Sequence, residues 1–364
     1  MHIVHCLTHS VVGGGQVVPH LLIRRFLQYY PEIRHTVMLP SDGVFVRKFK
    51  DLNVDVVTFP FDRIRIGNLS EIKRIIGRIN PDVIHSHGKG AGLYTRRLNF
   101  SGKNILTVHS HHGFHLPKNF FSRQVFLALE KKLMLTTDAV VAVSQSEADE
   151  ITKYIPSGSK IKIIGNVVDK NEIAARASAA AGSHFREAGK NKFSVLMIGR
   201  NDPVKNYALA FSAAEIVLKT SRDFYFIFVG LLPESEQAKK LLDEYTGNVQ
   251  FTGESENPLT ILAQSSVLLM TSKREGSPLS VLEAFALKKP VVGTNVRGIK
   301  DLVTDHQTGL LTELNPESVA QGIISLAKDK ALYETLSHNA VQMIDSLNLQ
   351  QWTEDYFKVY KSNL

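Results

Sequence analysis

The feature that most constrains how this chain can fold is a regular alternation of short β-rich runs with helical runs. A first series of β-rich runs lies at residues 2–7, 35–40, 54–59, 82–87, 104–110, 139–144 and 160–166, and a second lies at residues 193–199, 224–230, 249–253, 266–272 and 290–295. Strands that alternate with helices of this length favour a parallel sheet with helices on both faces. The sequence therefore predicts an α/β protein with two Rossmann-like, doubly wound domains in tandem.

A change of pattern places the boundary between these domains. Residues 171–190 are rich in small residues and contain no β-rich run, so we predict a linker there. The first domain then spans residues 1–170 and the second residues 191–348. With 364 residues, the chain is long enough for two cores of ordinary size. Residues 349–364 form a last amphipathic helix with an aromatic stripe.

The positive charge of the chain is unevenly distributed. Residues 1–172 hold 23 Lys and Arg against 14 Asp and Glu, a net +9, whereas the remaining residues hold 20 against 21, a net −1. No nucleic-acid module with interleaved aromatic residues accompanies this excess, so we expect no nucleic-acid partner. An anionic membrane surface and an ordinary solvated face both remain as explanations. Cys6 is the only cysteine, which excludes a disulfide framework and fits a reducing cytoplasm.

Several predicted strands are followed by glycines or cations. Ligands of doubly wound sheets bind at these C-terminal strand ends. Gly14 and Gly15 of VVGGGQ precede a helix, and their small size lets the backbone approach a ligand. The later run IGRNDPVKN offers Gly199, followed by Arg200 and Lys205. Arginine can clamp a phosphate with two hydrogen bonds while lysine acts as a point charge. The alternative is a turn with solvent-facing cations.

The segment REGSPLSVLEAFA places two carboxylates around a helix start. Ser277 is a favoured N-cap residue and the proline after it suits a first turn, so a helix is predicted from about Pro278. The amides at such a helix start bind anions. Glu275 before the helix and Glu283 inside it would flank this site with hydrogen-bond acceptors, an arrangement that suits a nucleotide sugar. An ordinary amphipathic helix explains the same residues.

Histidines follow two strands of the first half: His85, His87, His109, His111, His112 and His115. A zinc site is one interpretation, but no cysteine accompanies them and no H-E-x-x-H spacing occurs. The chain also contains no Asp-x-Asp, the usual clamp for a metal-bound nucleotide sugar. We therefore expect no metal and no other cofactor. A role near a diphosphate or a sugar hydroxyl, or a structural role, remains for the histidines.

Eight motifs of this chain resemble those of the retaining glycosyltransferases of family 4, the glycosyl transferases group 1. In chain order they are GGGQ, DVIHSH, HHGFH, AVVAVSQSEADEI, IGNVVD, GRNDPVKN, REGSPLSVLEAFA and GIKDLVTDHQTGLL. The resemblance covers nearly the whole chain and implies the GT-B fold, in which two Rossmann-like domains face a central cleft. It also implies that the C-terminal helix, residues 349–364, joins the first domain. The first domain would bind the acceptor and the second the nucleotide-sugar donor.

The resemblance also implies roles for individual residues. Glu275 would hold hydroxyls of the donor sugar and Glu283 the ribose, while Arg200 and Lys205 would neutralise the diphosphate in place of a metal. The other donor-binding positions would be Gly14, Gly15, Gly199, Gly276, Ser277, Leu279 and Ser280. The active-site histidine is His112 or His109, with His112 favoured, and His111 stands close to both in sequence.

The expected activity is transfer of a hexosyl or N-acetylhexosaminyl group, with retention, from a UDP-sugar in preference to a GDP-sugar. The basic first domain suggests a lipid-linked or saccharide acceptor in cell-surface polysaccharide synthesis, at the cytoplasmic face of the inner membrane. Synthesis of a small soluble glycoside is the alternative, and a nucleotide-sugar-binding regulator without turnover is another. A nicotinamide-dependent dehydrogenase is disfavoured because G-x-G-x-x-G is missing.

Overall fold

A computed structural model describes residues 1–11, 13–41, 43–63, 65, 67–98, 104–179 and 191–362. The chain divides into two compact units. Unit 1 comprises Met1–Asn166 together with Asn348–Leu364, and unit 2 comprises Val167–Leu347.

The secondary structure alternates along both units. The strands are β1 (His2–Leu7), β2 (Arg34–Leu39), β3 (Asp55–Thr58), β4 (Val83–His87), β5 (Leu106–Ser110), β6 (Ala139–Ala142), β7 (Ile161–Ile163), β8 (Phe193–Ile198), β9 (Phe224–Val229), β10 (Val249–Gly253), β11 (Val267–Met270), β12 (Val291–Thr294) and β13 (Gly309–Thr312). The helices are α1 (Gly14–Tyr29), α2 (Val44–Lys50), α3 (Asn68–Ile79), α4 (Lys89–Thr95), α5 (Phe120–Leu135), α6 (Gln145–Tyr154), α7 (Lys170–Ser178), α8 (Tyr207–Thr220), α9 (Glu236–Glu244), α10 (Pro258–Gln264), α11 (Leu279–Ala286), α12 (Pro316–Lys328), α13 (Lys330–Ser346) and α14 (Leu349–Lys361).

Unit 1 is built on a parallel sheet in the order β3-β2-β1-β4-β5-β6-β7. Every residue of β4 and β5 is buried, as expected for central strands with helices on both faces. The register pairs His5 with His85, and Ser86 with His109. Polar residues from neighbouring strands therefore lie side by side inside this sheet.

Unit 2 repeats the plan in the order β10-β9-β8-β11-β12-β13, again parallel throughout. Numbered from its own first strand this is 3-2-1-4-5-6, the strand order of a Rossmann fold. Aromatic side chains, among them Phe211, Phe226 and Phe228, fill the core on one face of the sheet. The prediction of doubly wound α/β architecture is confirmed for both units. The edge strand β13 was not predicted, because its apolar run is short.

The segment assigned to the linker is partly structured. Its first residues belong to α7, which Asp169 caps and which packs against α10 and α11 through the buried Ile173. The change of unit lies at Asn166, a few residues earlier than the predicted boundary. Residues 180–190 lie outside the described residues.

The C-terminal helix α14 packs within unit 1, against α1. The Trp352 indole donates to the Gly165 carbonyl at 2.9 Å, and the Tyr360 hydroxyl is 2.7 Å from Nδ1 of His85. Trp352, Tyr356 and Tyr360 are all buried, so the aromatic stripe recognised in the sequence is the packing face of this helix.

Candidate functional site

The loop after β8 brings a cation close to the backbone of unit 2. The aliphatic part of Lys205 lies over Gly199, where an added Cβ would come within 3.3 Å of the lysine side chain. Gly230, at φ +89°, lies on the other side; a Cβ there would be 2.2 Å from the Gly199 carbonyl oxygen. Glycine at both positions therefore allows strand, loop and lysine to pack in close contact.

Hydrogen bonds to the backbone, two of them from side chains, fix this loop. Asp202 accepts from the Val204 amide at 2.8 Å, and the Lys205 amide donates to the Asp202 carbonyl at 2.9 Å. The Thr271 hydroxyl at the end of β11 donates to the Lys205 carbonyl at 3.0 Å. The loop that carries Lys205 is thus attached to the neighbouring strand end, which limits its movement.

Lys205 and Glu275 form the ion pair at this edge of the unit 2 sheet. Lys205 Nζ lies 2.8 Å from Glu275 Oε1, which also accepts from the Ser272 hydroxyl at 2.6 Å. The lysine and glutamate side chains are 24% and 15% exposed, so the pair is accessible but partly shielded from water. No described residue donates to Oε2 of Glu275, which can therefore accept from a ligand.

Arg200 lies in the same loop with different surroundings. It is exposed, and its guanidinium makes no hydrogen bond or ion pair with any described residue. An exposed, unengaged guanidinium can bind an anion without first breaking a protein contact. The structure thus brings Lys205 and Glu275 together and leaves Arg200 in the solvent beside them in the chain.

The helix start in REGSPLSVLEAFA differs from the prediction by one residue. Pro278 has ψ 119° and is itself the N-cap, no side chain caps the helix, and α11 begins at Leu279. The predicted Ser277 N-cap is therefore wrong, because the extended proline delays the first helical residue. Gly276 and Ser277 are buried, whereas Leu279 and Ser280 are half-buried in the first turn of α11.

Glu283 occupies a different environment from Glu275. It is half-buried on α11, and its carboxylate makes no hydrogen bond with the described residues. Burial raises the pKa of Glu283; Glu172 reinforces this, and Arg176 opposes it. Both neighbours lie on α7, in the segment taken for a linker, so sequence reasoning missed the charges nearest to this glutamate.

In unit 1 the glycine loop and one histidine lie close together. Gly14 and Gly15 open α1, and an added Cβ at Gly15 would be 3.9 Å from Cδ2 of His112. His112 is half-buried and has a left-handed backbone, at φ 53°. Burial lowers its pKa to about 4, so the ring is neutral near pH 7.

The two other candidate histidines are buried. His109 Nδ1 lies 2.9 Å from the Ser86 hydroxyl, and its ring packs so closely against Gly92 that an added Cβ would be 2.4 Å away. His111 is also buried, with Nδ1 3.3 Å from Nε2 of His109. His112 is thus the most accessible of the three, which supports the preference for it; its role remains a prediction.

A buried carboxylate that sequence reasoning missed holds the backbone after His112. Glu147 accepts from the Gly113 amide at 2.7 Å through Oε1 and from the Val143 amide at 2.7 Å through Oε2. Ser144 caps α6 three residues before it. The spacing Ser-x-x-Glu is the capping-box signature, which could have identified Glu147. Here the glutamate stabilises the turn that presents His112.

Comparisons with known proteins identify the family of the chain. Residues 12–172 match the family model Glycosyltransferase Family 4, and residues 183–343 match the model Glycosyl transferases group 1. N-acetyl-alpha-D-glucosaminyl L-malate synthase of Bacillus anthracis is 26% identical over 313 residues, 83% of this chain and 79% of that protein. UDP-Gal:alpha-D-GlcNAc-diphosphoundecaprenol alpha-1,3-galactosyltransferase of Escherichia coli is 25% identical over 281 residues, 73% and 71% of the two chains.

Among solved structures, Anabaena Alr3699/HepE in complex with UDP aligns over 100% of both chains with a TM-score of 0.83 and 19% identity. A likeness at this identity shows the shared fold, and it confirms the GT-B prediction. The two family models cover most of the chain, in the order that the sequence motifs indicate. The chain therefore belongs to the family 4 glycosyltransferases, the glycosyl transferases group 1, and is a glycosyltransferase.

Proposed function

We propose that this glycosyltransferase works without a metal ion and with retention. It moves a hexosyl or N-acetylhexosaminyl group from a UDP-sugar to a lipid-linked or saccharide acceptor in cell-surface polysaccharide synthesis. The observation that carries the donor half of the proposal is the Lys205–Glu275 pair, with Arg200 in the same loop. The pair offers a cation for a phosphate and a carboxylate for a sugar hydroxyl within one hydrogen bond of each other.

Two cations, Lys205 and Arg200, bind the diphosphate in place of a metal ion. Lys205 is held in position by Glu275, so little side-chain entropy is lost when it meets a phosphate. Arg200 adds a guanidinium that binds phosphate oxygens with two parallel hydrogen bonds. Positive charge placed where the leaving group becomes negative lowers the barrier to cleavage of the sugar–phosphate bond.

The same arrangement favours attack from the face that the diphosphate leaves. As the sugar–phosphate bond lengthens, the acceptor hydroxyl approaches the anomeric carbon, and the departing phosphate takes its proton. Glu275 Oε2 accepts from a hydroxyl of the donor sugar and so orients the ring. Glu283, on α11, accepts from the ribose.

Preference for uridine is supported by the comparisons. The Anabaena structure contains UDP, and the name of the Escherichia coli relative specifies UDP-galactose as donor. The acceptor in that name is GlcNAc-diphosphoundecaprenol, a sugar carried on a lipid diphosphate, whereas the name of the Bacillus anthracis relative specifies malate. A small soluble acceptor is therefore the second candidate.

One face of α5 in unit 1 supports an acceptor that is attached to a membrane. Phe120, Phe121, Val125 and Leu135 are 70%, 79%, 60% and 80% exposed. Lys131 and Lys132 are exposed on the same helix. Its one acid, Glu130, points inward and pairs with Arg96 at 2.8 Å.

Exposed aromatic and aliphatic residues beside lysines are typical of helices that lie in the headgroup region of an anionic bilayer. We propose that α5 docks on the cytoplasmic face of the inner membrane as a peripheral contact. No helix in the described part of the chain is long and apolar enough to cross a bilayer.

The experiment is a transfer assay with a panel of UDP- and GDP-sugars in the presence of EDTA. Two acceptors are compared: a polyprenyl-diphosphate saccharide in anionic vesicles, and a small hydroxy acid in solution. We expect turnover with a UDP-sugar and the lipid acceptor, and nuclear magnetic resonance of the product should show retention. Turnover with the hydroxy acid alone would establish the second candidate, and a requirement for a divalent metal would contradict the mechanism.

A further inference from the structure

Four imidazole rings form a row through unit 1 that ends at His112, called here the imidazole row. His112 Nε2 lies 3.0 Å from His87 Nδ1, His87 Nε2 lies 3.4 Å from His5 Nδ1, and His5 Nε2 lies 3.2 Å from His35 Nδ1. The last three residues come from the adjacent strands β4, β1 and β2. All three are buried, and only His112 is partly exposed.

Each neutral imidazole has one N–H donor and one bare nitrogen acceptor. Burial lowers the pKa of His87 and of His5 well below the usual range, and that of His35 to about 3, so these rings are neutral near pH 7. In a row of such rings the hydrogen bonds must all run in one direction. The proton position at His35 therefore determines which nitrogen of His112 carries the proton, three rings away.

The far end of the row indicates which direction applies. His35 Nε2 is buried and has no hydrogen-bond partner among the described residues. If every bond ran from His112 toward His35, this nitrogen would be a buried N–H without an acceptor. In the opposite direction it is a bare acceptor. Orphaned buried N–H groups are the rarer of the two in folded proteins, so the bonds run from His35 toward His112.

We propose that His35, His5 and His87 are positioning residues, which hold His112 in the tautomer with its proton on Nδ1. His112 then accepts from His87 at Nε2, and its other nitrogen makes no hydrogen bond with any described residue. That nitrogen presents an N–H to the substrate. Given the proposed function, His112 donates a hydrogen bond to a substrate oxygen, and it does not act as the base that deprotonates the acceptor.

Two members of the row, together with His85, raise a metal site as the competing interpretation. Nitrogens of His5, His85 and His87 lie within 4.8 Å of one another. However, His85 Nδ1 is 2.7 Å from the Tyr360 hydroxyl and His85 Nε2 is 2.9 Å from the Ser110 hydroxyl. A metal would also need a lone pair from His5 and from His87, whereas both ring nitrogens of each are already used within the row. Coordination and the imidazole row therefore exclude each other, and one measurement separates them.

The test is ¹⁵N nuclear magnetic resonance of the full chain labelled with ¹⁵N-histidine, without substrate, with His112 assigned by comparison with His112→Asn. We expect a protonated, pyrrole-type Nδ1 and a bare, pyridine-type Nε2 for His112 near pH 7. The reverse assignment would overturn the proposal, as would zinc or another transition metal found in stoichiometric amount in the purified protein. Because no substrate is present, this result does not depend on the proposed function.

Transmission along the row is tested with two variants, His35→Asn and His35→Leu. The asparagine amide can donate to His5 Nε2 or accept from it, so both directions of the row are allowed and His112 should become a mixture of tautomers although His35 lies three rings away. In His35→Leu, His5 Nε2 becomes the buried terminal nitrogen and stays bare for the same reason, so the His112 tautomer should be kept. His20→Leu, which removes an imidazole of unit 1 outside the row, is the matched control and should leave the His112 signals unchanged. Unchanged signals in folded His35→Asn, or a reversed tautomer in folded His35→Leu, would refute the positioning role.

The effect on catalysis is measured with His87→Leu. Loss of the partner that fixes the His112 tautomer should lower kcat about tenfold and change KM little, since outer partners that orient a functional imidazole typically matter by this much. The His20→Leu control should keep the kcat of the natural protein. An unchanged kcat in folded His87→Leu would show that His112 does not depend on the row.

Discussion

Units 1 and 2 are each built on a parallel, doubly wound sheet, but the residues at their candidate sites differ in charge. In unit 2 the ends of β8 and β11 hold formal charges, with Lys205 and Glu275 in contact and Arg200 exposed. In unit 1 the ends of β4 and β5 lead into glycines and neutral imidazoles. Charged groups suit a diphosphate, and neutral donors suit sugar hydroxyls. The same fold thus presents different chemistry through the side chains placed at its strand ends.

The largest expected difference between the units is their stability in acid. Burial lowers the pKa of five buried histidines of unit 1 well below the ordinary value: His5, His85, His87, His109 and His111. The unfolded chain takes up protons below about pH 6.5 whereas the folded unit does not, so the free energy of unfolding falls as the pH falls. Each histidine contributes a slope of about 1.4 kcal/mol per pH unit once its unfolded form is protonated.

Trp352 is the only tryptophan and is buried in unit 1, so its fluorescence reports on that unit. We expect the melting temperature of unit 1, followed by this fluorescence, to be lower at pH 5.5 than at pH 7.5. The histidines in the described part of unit 2 are His306 and His338, and both are exposed. The unfolding transition of unit 2, followed by circular dichroism, should therefore shift less with pH than that of unit 1. One transition with the same midpoint at both pH values would contradict the difference between the units.

A second prediction concerns the charged edge of unit 2. Lys205→Ala removes the cation that Glu275 holds and should lower kcat about 10²- to 10³-fold, the usual effect of losing one group that stabilises developing charge. The measurement is the steady-state rate of transfer or of donor hydrolysis. Lys273→Ala removes an exposed lysine nearby and is the control; an equal loss in both variants would mean that general electrostatics, not the ion pair, matters.

A third prediction places membrane binding in unit 1. The double substitution Phe120→Ser, Phe121→Ser should weaken binding to anionic vesicles at least about 100-fold, because each phenylalanine loses about 1.5–3 kcal/mol of apolar burial. Leu314→Ser removes a half-exposed apolar side chain of unit 2 and should bind as the natural protein does. Sedimentation with vesicles measures both. If neither variant changes binding, the α5 surface is not the docking site.

The smallest effect is expected at Glu283. Glu283→Gln should weaken nucleotide binding about tenfold, the contribution of one hydrogen bond to a charged acceptor. The same change should raise the melting temperature at pH 7. Because burial raises the pKa of Glu283, the folded state holds its proton more tightly, and the free energy of unfolding falls as the pH rises from the ordinary glutamate pKa toward the raised value. Glutamine avoids this loss, so tighter binding or lower stability would contradict the assignment.

Local patterns predicted most of the fold because each strand is a short, continuously apolar run bounded by turn residues. The runs at residues 2–7 and 249–253 coincide with β1 and β10. The same reasoning failed for α7, since alanine-rich sequence suits a helix as well as a linker, and only its packing through Ile173 distinguishes the two.

The types of residue at the candidate site could be predicted from the sequence, but the contacts between them could not. The motifs indicated Lys205 and Glu275 separately, but their 2.8 Å contact depends on a loop that hydrogen bonds attach to β11. The imidazole row depends on strand register: His5 lies opposite His85, and His35 lies on the strand at the other side of β1. Pairings between distant strands cannot be read from one sequence, so this row was not predicted.

We propose that the charged edge of unit 2 binds the donor diphosphate without a metal. Isothermal titration of the protein with UDP in EDTA tests it most directly, with Lys205→Ala and Arg200→Ala in parallel. We expect binding to the natural protein in EDTA and about tenfold or greater weakening in each variant, the loss of a hydrogen bond to a charged group. Binding that needs a divalent ion, or that neither substitution weakens, would contradict the account.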